Sequence, residues 1–428
     1  MSSHHEHRRN RHQEIHKKVE KSNFRLGVWN GILYNLALSF LSKTTVLPGF
    51  LSHLTNSSAL IGFVSSFDSI GWYLPQLPVS AWVQHKPRKM PLYRFSAITR
   101  TIAFAVLALI TLFSTSESLL LITAVTTIII FFLASGPGGL VFTEMYAKAI
   151  PSHRRGRFLG LRMAIGSVLS ATVGASLISY FVSGYSFPTN FGLVFAVGAV
   201  TCGFALWLMA SMREPREKIV TEERTLIEQL KFCLEILRTD HKFRAFASSR
   251  VLFESFSLGM PFIFLFAQRK LGYSMTDIGI FIAVECVGII ISNYIWAELA
   301  DKVSNKRVLI GTAYVALLVP IMIILYSFFP LPVVLFPVVF ALSAAVDAGR
   351  TIGGMGYLAA TNPSRDRTTY AALYNSMLAL PLLFASLAGL LLDSFGFVLL
   401  YGILLVLGVI SLIQFKKLED INPHLKKH

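Results

Sequence analysis

The sequence predicts an all-α membrane protein in which twelve transmembrane helices form two pseudo-symmetric six-helix bundles. Long apolar runs, basic residues confined to short loops, and an internal repeat predict this fold. Of the 428 residues, 54% are hydrophobic and 14% are charged, whereas a soluble protein carries about 25% charged residues. The apolar residues form about twelve runs, such as 119–141 and 308–329, and each can cross a hydrocarbon core of about 30 Å as a helix.

The first half of the chain is predicted to hold a basic tail at 1–23 and a six-helix bundle at 24–212. The tail is polar and has no cleavage site, so we expect a disordered cytoplasmic segment and no signal peptide. In the fourth span, the sequence SGPGG at 135–139 predicts a kink. The spans of this bundle are predicted near 24–48, 57–83, 92–113, 119–149, 158–182 and 191–212.

The linker at 213–242 is too charged to cross a membrane. Its sequence places Leu226, Leu230, Cys233 and Leu237 on one helical stripe, which predicts an amphipathic helix on the surface. A flexible connector is the alternative. A second bundle at 243–416 and a basic tail at 417–428 complete the chain. The spans of the second bundle are predicted near 243–266, 275–299, 308–329, 333–360, 369–392 and 397–415.

Lysines and arginines gather at both termini and in every second connection, as in HKPRK at 85–89. The positive-inside rule therefore predicts a multi-pass protein of the inner membrane with both termini in the cytoplasm. These loops account for the net charge of +16, so we expect no nucleic-acid partner. The three cysteines are isolated, and we expect no disulfide framework, no metal site and no cofactor.

The two halves of the sequence match each other at a steady offset. The pair Phe24-Arg25 corresponds to Phe243-Arg244, and Asp68 falls opposite Glu285. The repeat also places Asn35 of span 1 opposite Glu254 of span 7. Because the matches keep their order along the chain, they indicate a duplicated six-helix unit.

A six-plus-six chain with a central linker and parallel repeats resembles the major facilitator transporters. The stretch AELADKVSNKR at 297–307 is similar to that family's signature loop, G-x-L-A-D-R-x-G-R-R/K. Both glycines of the pattern are replaced, by Ala297 and Ser304, and the copy in the first half has Val83 in place of the acid. The stretch at 70–94 resembles uncharacterised bacterial members of the family.

The resemblance implies a cytoplasmic gate formed by Asp301, Lys302 and Arg307, whose contacts must break when the gate opens. Glu144 and Arg157, at the ends of spans 4 and 5, extend this predicted gate, together with Arg162. The alternative is that these charges only obey the positive-inside rule or sit at ordinary helix ends.

Ionisable residues also lie near the centres of the predicted spans, where a charge costs a few kcal/mol. They either lock the bundle as ion pairs or bind the solute and carry protons. Asp68 and Glu285 are candidates for an interface or proton role, since in the family spans 2 and 8 meet across the halves. Lys43 is expected to reach the membrane interface by snorkelling. The candidate residues for substrate binding and coupling are Asn35, Arg250, Glu254, Asp347, Arg350, Tyr370 and Tyr374.

These features predict a secondary transporter that moves a small organic solute by alternating access, coupled to protons. Its predicted partners are the solute, protons and the lipid bilayer, and we expect a monomer. The chain has no phosphate-binding GK[ST] loop and no readable catalytic cluster, so we expect no enzyme activity. A lipid flippase or scramblase, or a non-transporting sensor with a transporter fold, remains the alternative, because fold alone does not fix function.

Overall fold

The computed structural model describes residues 2–83, 86–151, 154–215, 226–361 and 367–420. These residues form helices and no strands, as the composition predicts. Nine helical segments among them are long and apolar enough to cross a membrane. One of the nine, Thr369–Lys417, is long enough for spans 11 and 12 together. Span 1 comprises the end of the 38-residue helix Ser2–Ser39 and a short helix, and span 2 comprises two short helices, so neither is among the nine. The described segments therefore agree with twelve spans.

In the first bundle, three of the six spans are interrupted. Span 1 comprises α1 (Ser2–Ser39) and α2 (Val46–Ser52), and span 2 comprises α3 (Ser58–Tyr73) and α4 (Gln76–Val83). Span 5 comprises α7 and α8, joined by a π-helical turn at Ser170–Gly174. The remaining bounds are α5 (Met90–Phe113), α6 (Glu117–Ala149), α7 (Arg155–Leu169), α8 (Ala175–Gly184) and α9 (Thr189–Ala210).

The second bundle follows the linker helix α10 (Leu226–Thr239). Span 7 is interrupted by a 3₁₀ turn at Ser255–Gly259. In α17 the backbone leaves helical geometry at Gly396 (φ 81°, ψ 179°), a conformation open to glycine, and this kink separates span 11 from span 12. The bounds are α11 (His241–Glu254), α12 (Met260–Leu271), α13 (Ile278–Lys302), α14 (Asn305–Phe328), α15 (Val338–Thr361), α16 (Arg367–Leu382) and α17 (Ala385–Lys417).

Span 4 carries the sequence SGPGG, at which a kink is predicted. Helix α6 continues through Pro137 as one element, and the kink stays a prediction. The glycines of this sequence allow span 2 to pack closely, since a Cβ on Gly136 would lie 2.7 Å from the carbonyl oxygen of Gly71. Span 2 is interrupted before Pro75, which lacks the N–H needed to continue the helix.

Two predictions about the termini and the linker need correction. The first tail was expected to be disordered, but α1 begins at Ser2, since no glycine or proline separates the tail from span 1. The linker helix is present, yet its predicted stripe is partly wrong. Leu230 is exposed, whereas Gln229, Cys233 and Ile236 are buried. The packing of α10 against α11, α4 and α16 decides which face is covered.

Contacts between the bundles pair span 2 with span 11 and span 5 with span 8. The expectation that spans 2 and 8 are the partners across the halves is therefore wrong for the main contacts. We call the end of the molecule that carries both chain termini the terminal side, and the opposite end the far side. On the far side, Asp393 of span 11 accepts a hydrogen bond from the backbone N–H of Ser58, at 2.9 Å. Arg269 of span 7 donates to the hydroxyl of the same serine, at 3.2 Å.

Candidate substrate and coupling site

The interruption of span 1 places Lys43 between the two bundles. Residues 40–45 are not helical, and Lys43 lies in this segment. Its ammonium group is 3.0 Å from Asp68 of span 2 and 3.5 Å from Asp347 of span 10. The prediction that Lys43 snorkels to the interface is wrong, because the broken helix lets its side chain turn inward onto two carboxylates.

Glu254 is the most buried carboxylate of the second bundle, with none of its surface exposed. Its carboxylate lies 2.5 Å from Arg350 and 3.4 Å from Arg250. Arg350 also pairs with Asp347 at 3.0 Å. The two spacings seen in the sequence, i to i+4 and i to i+3, therefore do bring acid and base together on one helix face. Ser257, in the 3₁₀ turn, accepts a further hydrogen bond from Arg350.

These ion pairs form one continuous chain that crosses the molecule. Three basic and three acidic side chains alternate, so the chain has no net charge when all are ionised. Burying charges is tolerable when each is paired in this way. The order is Arg250, Glu254, Arg350, Asp347, Lys43 and Asp68.

Glu285 of span 8 lies beside this chain without belonging to it. Its carboxylate accepts a hydrogen bond of 2.9 Å from the hydroxyl of Thr44, the residue that follows Lys43. None of the ion pairs among the described residues includes Glu285. Asp68, at the matching repeat position, holds Lys43 instead. The two acids therefore contact neighbouring residues of the same break in span 1.

Of three other predicted residues, one contacts the ion-pair chain and two hold helices together elsewhere. Tyr374 accepts a hydrogen bond from Nε of Arg250 at 2.9 Å, and so it joins the site. Tyr370 donates to Asp240 at 3.0 Å and packs on Phe243, at the start of span 7. The two tyrosines do share one helix face, but that face packs against span 7. Asn35 donates to the backbone of Gly31 and of Arg162, which ties span 1 to span 5.

The predicted gate residues lie at the terminal side. Among the described residues, Lys302, Arg307 and Glu144 form ion pairs within their own half of the chain. Lys302 pairs with Glu298 at 2.6 Å, and Arg307 is 4.0 Å from Asp420. Asp301 is exposed at the end of α13, and Arg157 is exposed near the start of α7. Glu144 pairs with Lys89 and with Lys148.

The sequence analysis did not identify Arg100 as a candidate residue, and its assignment of Arg162 to the cytoplasmic gate is wrong. Arg100 is buried in span 3, donates to the hydroxyl of Tyr34, and lies over the rings of Tyr34 and Phe131 at 4.9 and 4.7 Å. Arg162 of span 5 donates to the backbone of Gly27 and to Asn30, and does not reach the predicted gate. The missed signal was a single arginine inside an otherwise uncharged run after Arg94.

A small cavity lies beside Lys43, between the bundles. Spans 1 and 2 line it from one side, and spans 7 and 11 from the other. Its serines offer hydroxyl groups that can donate or accept hydrogen bonds. The lining residues are Lys43, Ser65, Ser66, Ser69, Ser257, Met260, Pro261 and Leu382.

Comparisons with known proteins agree with this architecture. A family model described as the Major Facilitator Superfamily matches residues 32–346 and 251–427. An uncharacterized protein of Mycobacterium tuberculosis is 24% identical over 201 residues, which is 45% of this chain and 38% of that relative. A relative in Mycobacterium bovis matches to the same extent. The match thus spans less than half the length of these curated relatives.

Solved transporters share the fold at low sequence identity. The crystal structure of a D-xylose-proton symporter superposes with a TM-score of 0.71 at 14% identity, and the match covers 94% of this chain and 98% of that one. A nucleoside transporter gives a TM-score of 0.69 at 13% identity, with 94% and 99% covered. At these identities the likeness concerns the fold alone.

Proposed function

The chain belongs to the Major Facilitator Superfamily, and from this premise we propose that it is a secondary transporter that carries a small organic solute by alternating access, coupled to protons. The family and the fold point to a transporter and not to an enzyme. The observation that carries the proposal is the ion pair of Lys43 with Asp347, which joins the two bundles beside a polar cavity. Secondary transporters bind solute and coupling ion in this position, between their repeats.

The Lys43–Asp347 pair links the movement of one bundle to the movement of the other. When one bundle rocks against the other, the 3.5 Å contact between them must break or change partner. After this contact breaks, Asp347 still pairs with Arg350 in the second bundle, and Lys43 still pairs with Asp68 in the first bundle. Each charge therefore retains a partner within its own bundle. A contact of this kind can switch between two arrangements without leaving a buried charge unpaired.

Glu285 is the proposed proton carrier. The paired chain beside it is already balanced, so an ionised Glu285 adds an uncompensated negative charge next to Lys43. An ionised Glu285 therefore attracts Lys43 away from Asp347, and a protonated Glu285 releases it. The proton thereby biases the contact between the bundles, which is the link that coupled transport requires.

The remaining features of the proposal concern the setting of the transporter. We place it in the inner membrane with both termini in the cytoplasm, because the basic loops cluster on the terminal side. The far side is then the outer face, where Asp393, Arg269 and Ser58 join the bundles. Asp301, Lys302, Arg307, Glu144 and Arg157 remain the predicted gate at the cytoplasmic face, and a monomer remains the predicted unit.

The proposal is tested with the purified full-length protein in liposomes that contain a pH-sensitive dye. A panel of sugars, amino acids and organic acids is added outside, and we expect at least one solute to move protons. Glu285→Gln should still exchange labelled solute across the membrane but should no longer accumulate protons with it. Glu117→Gln, which replaces an exposed acid at the start of α6, is the control and should keep both activities.

Two results would contradict the proposal. If no solute moves and fluorescent lipids cross the bilayer instead, the protein is a flippase or scramblase. If Glu285→Gln still couples solute to protons, then Glu285 is not the proton carrier, and Asp68 becomes the next carboxylate to test.

A further inference from the structure

The first bundle holds two inward-facing arginines that have no carboxylate partner. Arg100 is 4% exposed, and Arg162 is half-buried. Among the described residues, neither forms an ion pair, whereas Arg250 and Arg350 of the second bundle both contact carboxylates. A buried charge without a counter-charge is costly in a protein interior, and more so within a membrane. Charge balance therefore calls for an anion that the described residues do not supply.

Aromatic rings accompany both arginines but leave their charge in place. Arg162 lies over the rings of Phe142 and Phe158, at 4.5 and 5.1 Å, and Arg100 over Phe131 at 4.7 Å. Cation–π contacts stabilise a desolvated guanidinium, yet the rings carry no net negative charge. The excess of positive charge in this part of the bundle remains after these contacts are counted.

Tyr34 has a hydroxyl proton to donate to an incoming group. A guanidinium can only donate, so the Tyr34 oxygen accepts the hydrogen bond from Arg100 and its own proton stays available. The described residues contain no acceptor for that proton. Tyr34 is half-buried and lies one helical turn after Gly31, against which the side chain of Arg162 packs closely. Its hydroxyl therefore joins the two positive charges as a second kind of donor.

Arg162 also keeps donors free. Its printed contacts use only the Nη1 group, which donates to the backbone of Gly27 and, at 3.1 Å, to Asn30. Its Nε and Nη2 groups have no acceptor among the described residues, and neither is fully buried. Buried Nε of Arg100 likewise has no hydrogen-bond partner. A guanidinium with two adjacent free donors matches the geometry of a carboxylate or a phosphate.

We propose that the solute is an organic anion whose carboxylate or phosphate group binds to Arg162 and to the hydroxyl of Tyr34. Arg100 is a positioning residue that orients Tyr34 and adds positive potential. This inference rests on the proposed transport function and narrows its substrate class. The neutral chain of ion pairs around Lys43 then holds the rest of the solute without adding net charge.

The test measures binding to the purified full-length protein as a ligand-induced rise in its melting temperature, at constant ionic strength. The probes are succinate, glycerol phosphate and glucose, which separate a carboxylate, a phosphate and a neutral solute. We expect one of the two anions to stabilise the wild type and glucose to have no effect. Tyr34→Phe removes one hydroxyl and should weaken anion binding about tenfold. Because the variant also removes the acceptor of the Arg100 hydrogen bond, its ligand-induced rise is measured from its own ligand-free melting temperature.

Arg162→Gln should abolish the anion effect, and Arg162→Lys should restore part of it, because the charge returns without the fork of donors. Arg94→Gln, an exposed arginine near the start of span 3 in the same bundle, is the matched control and should bind the anion as the wild type does. If Arg162→Gln fails to fold, Tyr34→Phe still decides the question.

The inference is overturned if glucose stabilises the protein and neither anion does, or if both variants bind the anion normally. In the first case the transport proposal survives, since a neutral solute is still bound. If an anion binds at Arg162 but no solute crosses liposomes, the inference stands and the transport proposal fails.

Discussion

The second bundle holds its buried arginines against carboxylates, whereas the first bundle holds its arginines against aromatic rings and a tyrosine. Arg350 contacts Glu254 at 2.5 Å and Asp347 at 3.0 Å. Among the described residues, Arg100 has no carboxylate partner and lies over two rings. The two bundles thus surround their buried arginines differently. This difference suggests two roles. A cation that is paired with a carboxylate stabilises the fold, whereas a cation without a carboxylate partner is available to bind a ligand.

Arg350→Met is expected to cause the largest loss of stability in the comparison. The substitution removes the partner of buried Glu254 and of half-buried Asp347 at once, and breaking a buried pair costs about 3–5 kcal/mol. The apparent free energy of unfolding is measured by denaturant titration in detergent micelles. Arg307→Met, whose guanidinium is exposed and 4.0 Å from Asp420, is the control and should unfold as the wild type does. Equal stability of Arg350→Met and the wild type would contradict the idea of a structural pair.

Lys43→Met should have the next largest effect, because it removes the ion pair that joins the bundles among the described residues. The carboxylates that Lys43 contacts, Asp68 and Asp347, are both partly exposed. The expected decrease in the free energy of unfolding is therefore about 1–3 kcal/mol. A double-mutant cycle with Asp347→Asn isolates the pair, and a coupling energy of about 0.5 kcal/mol or more is expected. A coupling energy of zero would mean that the bundles are joined without this contact.

Asp393→Asn should weaken the far-side contact by about 1 kcal/mol, since a carboxylate caps the first turn of α3 from the other bundle. The readout is the labelling rate of an Ala59→Cys variant with an impermeant thiol reagent, and Asp393→Asn should raise it. Asp277→Asn removes a cap that lies within span 8 itself and serves as the control. Similar labelling rates in the two backgrounds would show that Asp393 does not hold the bundles together.

Arg100→Met should have the smallest effect on stability, about 1 kcal/mol or less. The lost hydrogen bond and ring contacts are offset by the removal of a buried charge that has no counter-ion. The free energy of unfolding of Arg100→Met is measured by denaturant titration and compared with that of Arg350→Met. A loss as large as that of Arg350→Met would mean that Arg100 is as structural as the cations of the second bundle.

The sequence predicted the paired charges of the second bundle because acid and base lie on the same helix. Glu254 and Arg250, and Asp347 and Arg350, are close in sequence, and helical spacing is enough to place them together. The family resemblance drawn from the loop at 297–307 is confirmed by the family model. Spacing along one helix does not show what each helix face packs against, however. This is why Tyr370 was named as a candidate for substrate binding, although it contacts Asp240 and Phe243.

Contacts between different spans escaped prediction for a physical reason. Lys43 was expected to snorkel because the sequence does not show that span 1 breaks at 40–45. Arg100 was overlooked because its partner, Tyr34, is on another helix, and Asp393 because its partner is a backbone N–H of the other bundle. Each of these contacts depends on the rotation of two helices about their axes, which local patterns leave undetermined.

The sequence by itself determined the membrane-spanning helical class, the two-fold repeat and the family. Runs of apolar residues must form helices in lipid, since every backbone polar group has to be paired within the segment. Only the tertiary structure decided that one chain of ion pairs crosses from Asp68 to Arg250 and that Glu285 stands outside it. It also decided that Arg100 and Arg162 have no carboxylate partner among the described residues. The reason is that helix formation is local, whereas the balance of buried charge is a property of the packed bundle.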